Sequence, residues 1–333
     1  MNPKIRIPVV FIDPVIGDLG GPSRSTKIIE DEKAVFLNAL RLSYPHVEFL
    51  SYDIREPVDV QAFLNVEGNA VGYVVVTLNS LMGFIDPIIR SGKPVVVISE
   101  AYAGAGEYML GVSKALSEGY PVIGVSTRNL ASQAAINKVR YLVALARLRM
   151  SKVLFIVSPS LKSHLYWQFG PNTDMYSVFR LIQSITGVTP VLMDANEFRT
   201  RFFDRVSDDE ADEWTNRWVK YAEAVYDDTM DETRNSAKLY VAMRNAVREL
   251  GVSAVAVDCI VLYNTGLLRA WPCLGYMQLW YDGIIPICEA DPYAAVPILI
   301  AKYLLNRNGF VVNVGVDEER SEFIYHHCYA PTN

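Results

Sequence analysis

The chain has 333 residues, 51% of them hydrophobic and 20% charged, and a single core stops growing at roughly 250–300 residues, so at least two domains are expected. A formal net charge of −6 leaves no global basic field for a phosphate backbone, which excludes nucleic acid as a partner. No apolar run approaches the ~18 residues of a membrane span, and the start, MNPKIRIPVVFIDP, lacks the parts of a signal peptide; the expectation is a cytoplasmic protein with no membrane contact.

Apolar, β-branched runs recur at 5–12, 46–54, 70–78, 93–100 and 121–127, and such runs read as buried parallel strands. Helix-like segments separate them, including STKIIEDEKAVFLNALRLS and NLASQAAINKVRYLVALARLRM. A second series starts at 152–160 and continues through 188–198, two acidic helices over roughly 207–249, and SAVAVDCIVL at 253–262. Alternating strand and helix predicts α/β architecture: two Rossmann-like, doubly wound parallel-sheet domains. The pattern then changes to a helix, YAAVPILIAKYLLN, and two paired strands, GFVVNVGVD and SEFIYHHCYA, which read as the start of a β-rich third domain. The expected domains are 1–150, 151–285 and 286–333, the last of them incomplete. The sequence stops just after the final strand with nothing to shield its edge, so either a partner covers it or the chain is a fragment.

Ligands of open α/β sheets bind where strands end, which makes acids at strand C-termini the first candidates. These are Asp13, Asp53, Glu100, Asp194, Asp258 and Glu289, of which Asp13, Asp53 and Asp194 read as caps or turn formers. The loop IGDLGGPSRSTK matches neither phosphate-binding glycine pattern, although Arg24 within it could reach a sugar hydroxyl. Four cysteines, Cys259, Cys273, Cys288 and Cys328, form no CxxC pair and read as reduced core thiols. In the strand-like run WPCLGYMQLWYDGIIPICEADPYAAV, Glu289 precedes a helix apolar enough to be buried, and a carboxylate there needs a partner.

Asn313 and His327 follow on the next two strands, and adjacent strands could bring all three together. Oxygen ligands with one imidazole suit Mn²⁺ or Mg²⁺ better than zinc held by thiolates. The bland alternative has Glu289 capping the helix that begins at Asp291, Asn313 in an edge turn and His327 in a core. Trp271, Tyr276 and Trp280 recur near helical spacing, which suits packing, although an aromatic such as Trp271 can also stack on a sugar ring.

WPCLGYMQLWYDGIIPICEADPYAAV, followed by GF-VVN and HHCYAP, resembles the L-fucose and L-arabinose isomerase family at the junction of its central and C-terminal domains. The resemblance implies aldose–ketose isomerisation of a small sugar with Mn²⁺, in a homo-oligomer (trimer or hexamer) with sites between subunits. Carried over residue by residue, it makes Glu289 a metal ligand and proton shuttle and His327 a metal ligand. Asn313 stands where the family has a second acid, which leaves Asp291 or Asp258 to supply one. The reaction would run through an enediolate stabilised on the ion. The other reading is a non-catalytic sugar-binding or regulatory relative with two α/β domains around a cleft, which Asn313 favours. A nucleotide-sugar transferase is a third, and it lacks a diphosphate-binding loop.

Overall fold

A computed structural model describes residues 5–14, 26–79, 83–158, 175–226 and 229–330. The chain divides into two compact units, Met1–Arg147 and Leu148–Asn333, each an α/β layer built on a parallel sheet.

The first unit carries five parallel strands, β1 (Ile5–Ile12), β2 (Val47–Ile54), β3 (Tyr73–Thr77), β4 (Val95–Glu100) and β5 (Val122–Thr127), in the order β2-β1-β3-β4-β5. The order reverses between β1 and β3, the doubly wound pattern. Alternation along β1 shows why both faces must be covered. Val9 and Phe11 join Phe36, Leu40 and Val139 on one side, under the helices Thr26–Ser43 and Gln133–Met150. Val10 and Ile12 join Phe63, Ile85 and Val112 on the other, under the helices Pro57–Val66, Ile85–Arg90 and Ala105–Ser117. Each such side chain, fully removed from water, contributes about 1.5–3 kcal/mol before the entropy cost of ordering it.

The second unit has four parallel strands, β6 (Lys152–Val157), β7 (Thr189–Asp194), β8 (Ala254–Val257) and β9 (Ile285–Ile287), in the order β7-β6-β8-β9. The two acidic helices expected over 207–249 run Asp208–Tyr221 and Met230–Leu250. Ser207 caps the first, accepting from the Glu210 N–H, while the Glu210 carboxylate accepts from the Ser207 N–H. Gly251 ends the second in the left-handed region at φ 59°. Helix Cys273–Tyr281 lies against Met230–Leu250 at Gly275, where a Cβ would come within 3.0 Å of Tyr240 Cβ, so glycine sets how closely these helices approach.

Three expectations shift. The strand expected at 253–262 stops at Val257, and Cys259–Asn264 is helical. The strand-like run from Trp271 is helix Cys273–Tyr281 and then β9, so the boundary expected at 285/286 falls inside the second sheet's last strand. The closing pair, β10 (Asn313–Asp317) and β11 (Glu322–His326), is an antiparallel hairpin that groups with the second unit. Among the described residues no helix is long and apolar enough to cross a membrane.

Candidate functional site

Parallel strands of one sheet deliver their carboxyl ends to one edge, and in the second unit that edge holds most of the chemistry. Tyr276, fully buried on helix Cys273–Tyr281, fixes two of the strand ends. Its hydroxyl accepts from the Val257 N–H at 2.9 Å and donates to the Ile287 carbonyl at 3.1 Å, tying β8 to β9. The next residues along each strand are Asp258 and Cys259, and Cys288 and Glu289.

Asp258 is completely buried, as is Cys288, and Cys259 nearly so. Glu289 and Ala290 both adopt left-handed backbone, at φ 58° and 53°. Neither is glycine, and two such residues in succession cost on the order of 1–2 kcal/mol each; backbone held in this way gathers at functional sites. Asp291 then caps helix Pro292–Ile300, accepting from the Tyr293 and Ala294 N–H groups at 2.8 and 3.1 Å. Its carboxylate is committed to the backbone.

The hairpin supplies the opposite wall. Just beyond β11 come His327, Cys328 and Tyr329, the last buried and edge-on to Tyr276 at 5.6 Å. The His327 ring is buried, with Nε2 3.5 Å from Glu289 Oε1. Its Nδ1 lies 3.8 Å from Cys288 Sγ and 3.3 Å from Cys328 Sγ. Cys273 Sγ approaches Cys328 Sγ at 3.5 Å, and Cys259 bonds to Cys288. All four cysteines of the chain therefore meet at this edge as free thiols.

Their protons are unevenly held. Hydrogen bonds from the Cys273 and Cys288 thiols, aided by His327, hold Cys328 well below the ordinary thiol range. Bonding to Cys328, and then burial, pushes Cys273 up. Cys288 rises through its bonds to Cys259 and Cys328 and then through burial. The bonding thus favours the thiolate at Cys328 and the thiol at Cys273 and Cys288.

Along the same edge, after β7 and β8, a depression of about 510 Å³ is lined by Arg199, Phe203, Asp204, Asn235, Leu267 and Arg269, among others. Arg199 Nε lies 3.3 Å from Asp204 Oδ2, with both side chains about half exposed. Gly266, at φ 72°, turns the chain that carries Leu267 and Arg269. The first unit has a smaller depression, about 350 Å³, lined by Asp31, Glu32, Arg128 and Asn129 among others.

The remaining expected site residues are placed as follows. Asn313 is exposed on β10, opposite His326 in the ladder. Trp271 stacks on Tyr263, ring centroids 4.2 Å apart, and Tyr263 donates to Glu232. Arg24 and most of its loop lie outside the described residues. Asp194 caps the helix after β7, and Glu100 accepts from the Tyr102 and Ala103 N–H groups, both structural roles. Asp53 pairs with the buried Lys33 at 2.9 Å.

No family model matches the chain and no curated protein matches it. Among solved structures it is similar to an ABC transporter solute-binding protein from Burkholderia multivorans whose unidentified ligand was built as α-D-erythrofuranose. The identity is 10% and the TM-score 0.25, over 92% of this chain and 95% of that one; a likeness at that level carries no argument about ligand.

The expected kinship with the L-fucose and L-arabinose isomerases is corrected by these findings. Neither a model nor a curated member of that family matches. The isomerase activity, and the trimer or hexamer implied with it, lose their basis. The expected ion, Mn²⁺ or Mg²⁺, prefers oxygen, whereas the groups at His327 Nδ1 are thiols. The sequence placed Glu289 and His327 on converging elements and missed the sulfurs on the other side of the imidazole. The available signal was positional, since Cys259, Cys288 and Cys328 each follow closely on the end of an apolar run.

Proposed function

We propose that this chain is a non-catalytic sugar-binding protein, with the sugar held at the C-terminal edge of its second parallel sheet. The observation that supports this most directly is the depression beside Arg199, Phe203, Asp204, Asn235 and Arg269. Its volume, about 510 Å³, falls within the roughly 300–1,000 Å³ typical of small-molecule sites, and it lies where open α/β sheets take ligands.

The lining suits a polyhydroxylated ring. A carboxylate accepts from two neighbouring hydroxyls, guanidinium groups donate to ring and hydroxyl oxygens in a fixed fork, and a carboxamide does both. Phe203 offers an apolar face for the C–H side of a sugar. Pairing between Arg199 and Asp204 offsets one positive charge, which weights the pocket toward a neutral polyol over a phosphate. Recognition is all that this arrangement requires of its residues.

Isothermal titration with D-erythrose, L-arabinose and L-fucose, followed by NMR of the recovered sugar, tests the reading. At least one sugar is expected to bind saturably and return unchanged. Asp204→Ala and Arg269→Ala should each weaken it by about 10-fold or more, the value of a hydrogen bond to a charged group. Conversion of a sugar, or affinity indifferent to both substitutions, overturns the proposal.

A further inference from the structure

We propose that Cys288, His327 and Cys328, completed by Cys273, form a zinc-binding centre that fastens the terminal hairpin to the second unit. The proposal does not depend on the sugar site, whose residues lie on other segments.

Three of the four ligands already face one point, and Cys273 reaches the group through Cys328. The donor atoms of Cys288, His327 and Cys328 all lie within 4.8 Å of one another. Tetrahedral zinc, with Zn–S near 2.3 Å and Zn–N near 2.0–2.1 Å, sets its sulfurs about 3.8 Å apart and sulfur from nitrogen about 3.5 Å. The separations from His327 Nδ1 to the two sulfurs, 3.8 and 3.3 Å, bracket the sulfur–nitrogen edge, and the 3.5 Å between Cys273 and Cys328 falls a little short of the sulfur–sulfur edge. Three thiolates and an imidazole make a closed set of the kind structural zinc sites use. Soft sulfur selects zinc over manganese or magnesium.

The surroundings agree. Histidine ligands of metals usually donate their other ring N–H to a carboxylate, which fixes the tautomer. His327 is set for the same arrangement: Nε2 faces Glu289 at 3.5 Å, and Nδ1 faces the sulfurs. The left-handed backbone at Glu289 and Ala290 aims the thiol of Cys288 and the carboxylate of Glu289 at the same ring. Cys288 and His327 form a buried floor, whereas Cys328 is exposed, which gives an ion a route in.

The gain is mechanical. An isolated two-stranded hairpin is marginal in water, and β10 and β11 expose Val314, Val316, Phe323 and Tyr325. Its attachments include the burial of Tyr329, the packing of Val311 on the core, and the contacts of His327 and Cys328. A metal that joins these to Cys273 and Cys288 adds its binding energy to the folding of that segment.

The test uses the full chain, reduced with a phosphine, stripped with chelator and titrated with Co²⁺ and then Zn²⁺. One cobalt per chain is expected, with sulfur-to-metal charge transfer and the intense visible bands of a tetrahedral ion, displaced by stoichiometric zinc. Cys328→Ser, at an exposed position that leaves the core intact, should weaken binding by more than about 100-fold, and Glu289→Gln by about 10- to 100-fold. Cys259→Ser should leave one ion bound. Zinc should slow amide exchange over residues 313–329. Absence of uptake, a six-coordinate cobalt spectrum, binding that survives Cys328→Ser, or a Cys273–Cys328 disulfide in place of metal overturns the proposal.

Discussion

The hydroxyl of Tyr276 serves β8 and β9 at once, in a place where water cannot substitute for it. Tyr276→Phe leaves one buried N–H unpaired and one carbonyl short of a donor, and each such group costs about 1–3 kcal/mol. Urea denaturation should therefore show a loss of about 2–4 kcal/mol. Tyr44 is the comparison: its hydroxyl donates to the Ile136 carbonyl and meets Arg140, which keeps Asn137 as a partner, so Tyr44→Phe should cost roughly 1 kcal/mol. Equal losses would mean that the strand tie carries no special weight. Asp13 shows the opposite behaviour. Burial is the largest influence on its carboxyl, ahead of the attraction of Lys33 and Arg55, and it raises the pKa above 3.8. The folded state holds that proton more tightly than the unfolded one, so this group removes stability as pH rises from 3.8 through the folded value. Asp13→Asn is predicted to be more stable than the parent at neutral pH and to match it in strong acid, where both side chains are uncharged; thermal melts across that range decide it.

At the scale of elements, helix ends give the cleanest tests. A Cβ at Gly251 would meet nothing within 4 Å, so Gly251→Ala isolates the backbone cost of φ 59°; about 1 kcal/mol is expected. Ser207→Ala, which removes the cap of helix Asp208–Tyr221, should cost about 1 kcal/mol by the same denaturation measurement. These ends also show what the sequence conveyed. Buried parallel strands must be apolar on both faces, so β1, β4, β5 and β6 stand out as runs of Val and Ile and were legible to within a residue or two at their starts. Cys259–Asn264 was not, because CIVLYN has the composition of a strand and becomes helical only where β8 ends at the sheet edge. The cysteine cluster was illegible for a related reason. Its spacing follows the distance along the chain between strand ends, not any short motif, and only the register of β8, β9 and the hairpin brings the sulfurs together. Glu289 and His327 were visible as an acid and an imidazole on converging elements; the softness of their neighbours, which decides the chemistry, was not. The depression beside Arg199 and Arg269 has no sequence signature, since its lining comes from three separate segments.

At the scale of the molecule, two units with separate cores carry different duties in this account. Ligand binding to one folded unit stabilises that unit by mass action, about 2.7 kcal/mol at a ligand concentration 100 times the dissociation constant. A sugar that binds at the second sheet should therefore raise the unfolding of Leu148–Asn333 and leave that of Met1–Arg147 where it was. Hydrogen exchange with and without saturating L-arabinose, or whichever of the three sugars titrates best, reads this directly. Protection is expected at residues 199–204, around Asn235 and at 266–269, with the first unit unchanged. Protection confined to the first unit, or none anywhere at saturating sugar, would contradict it.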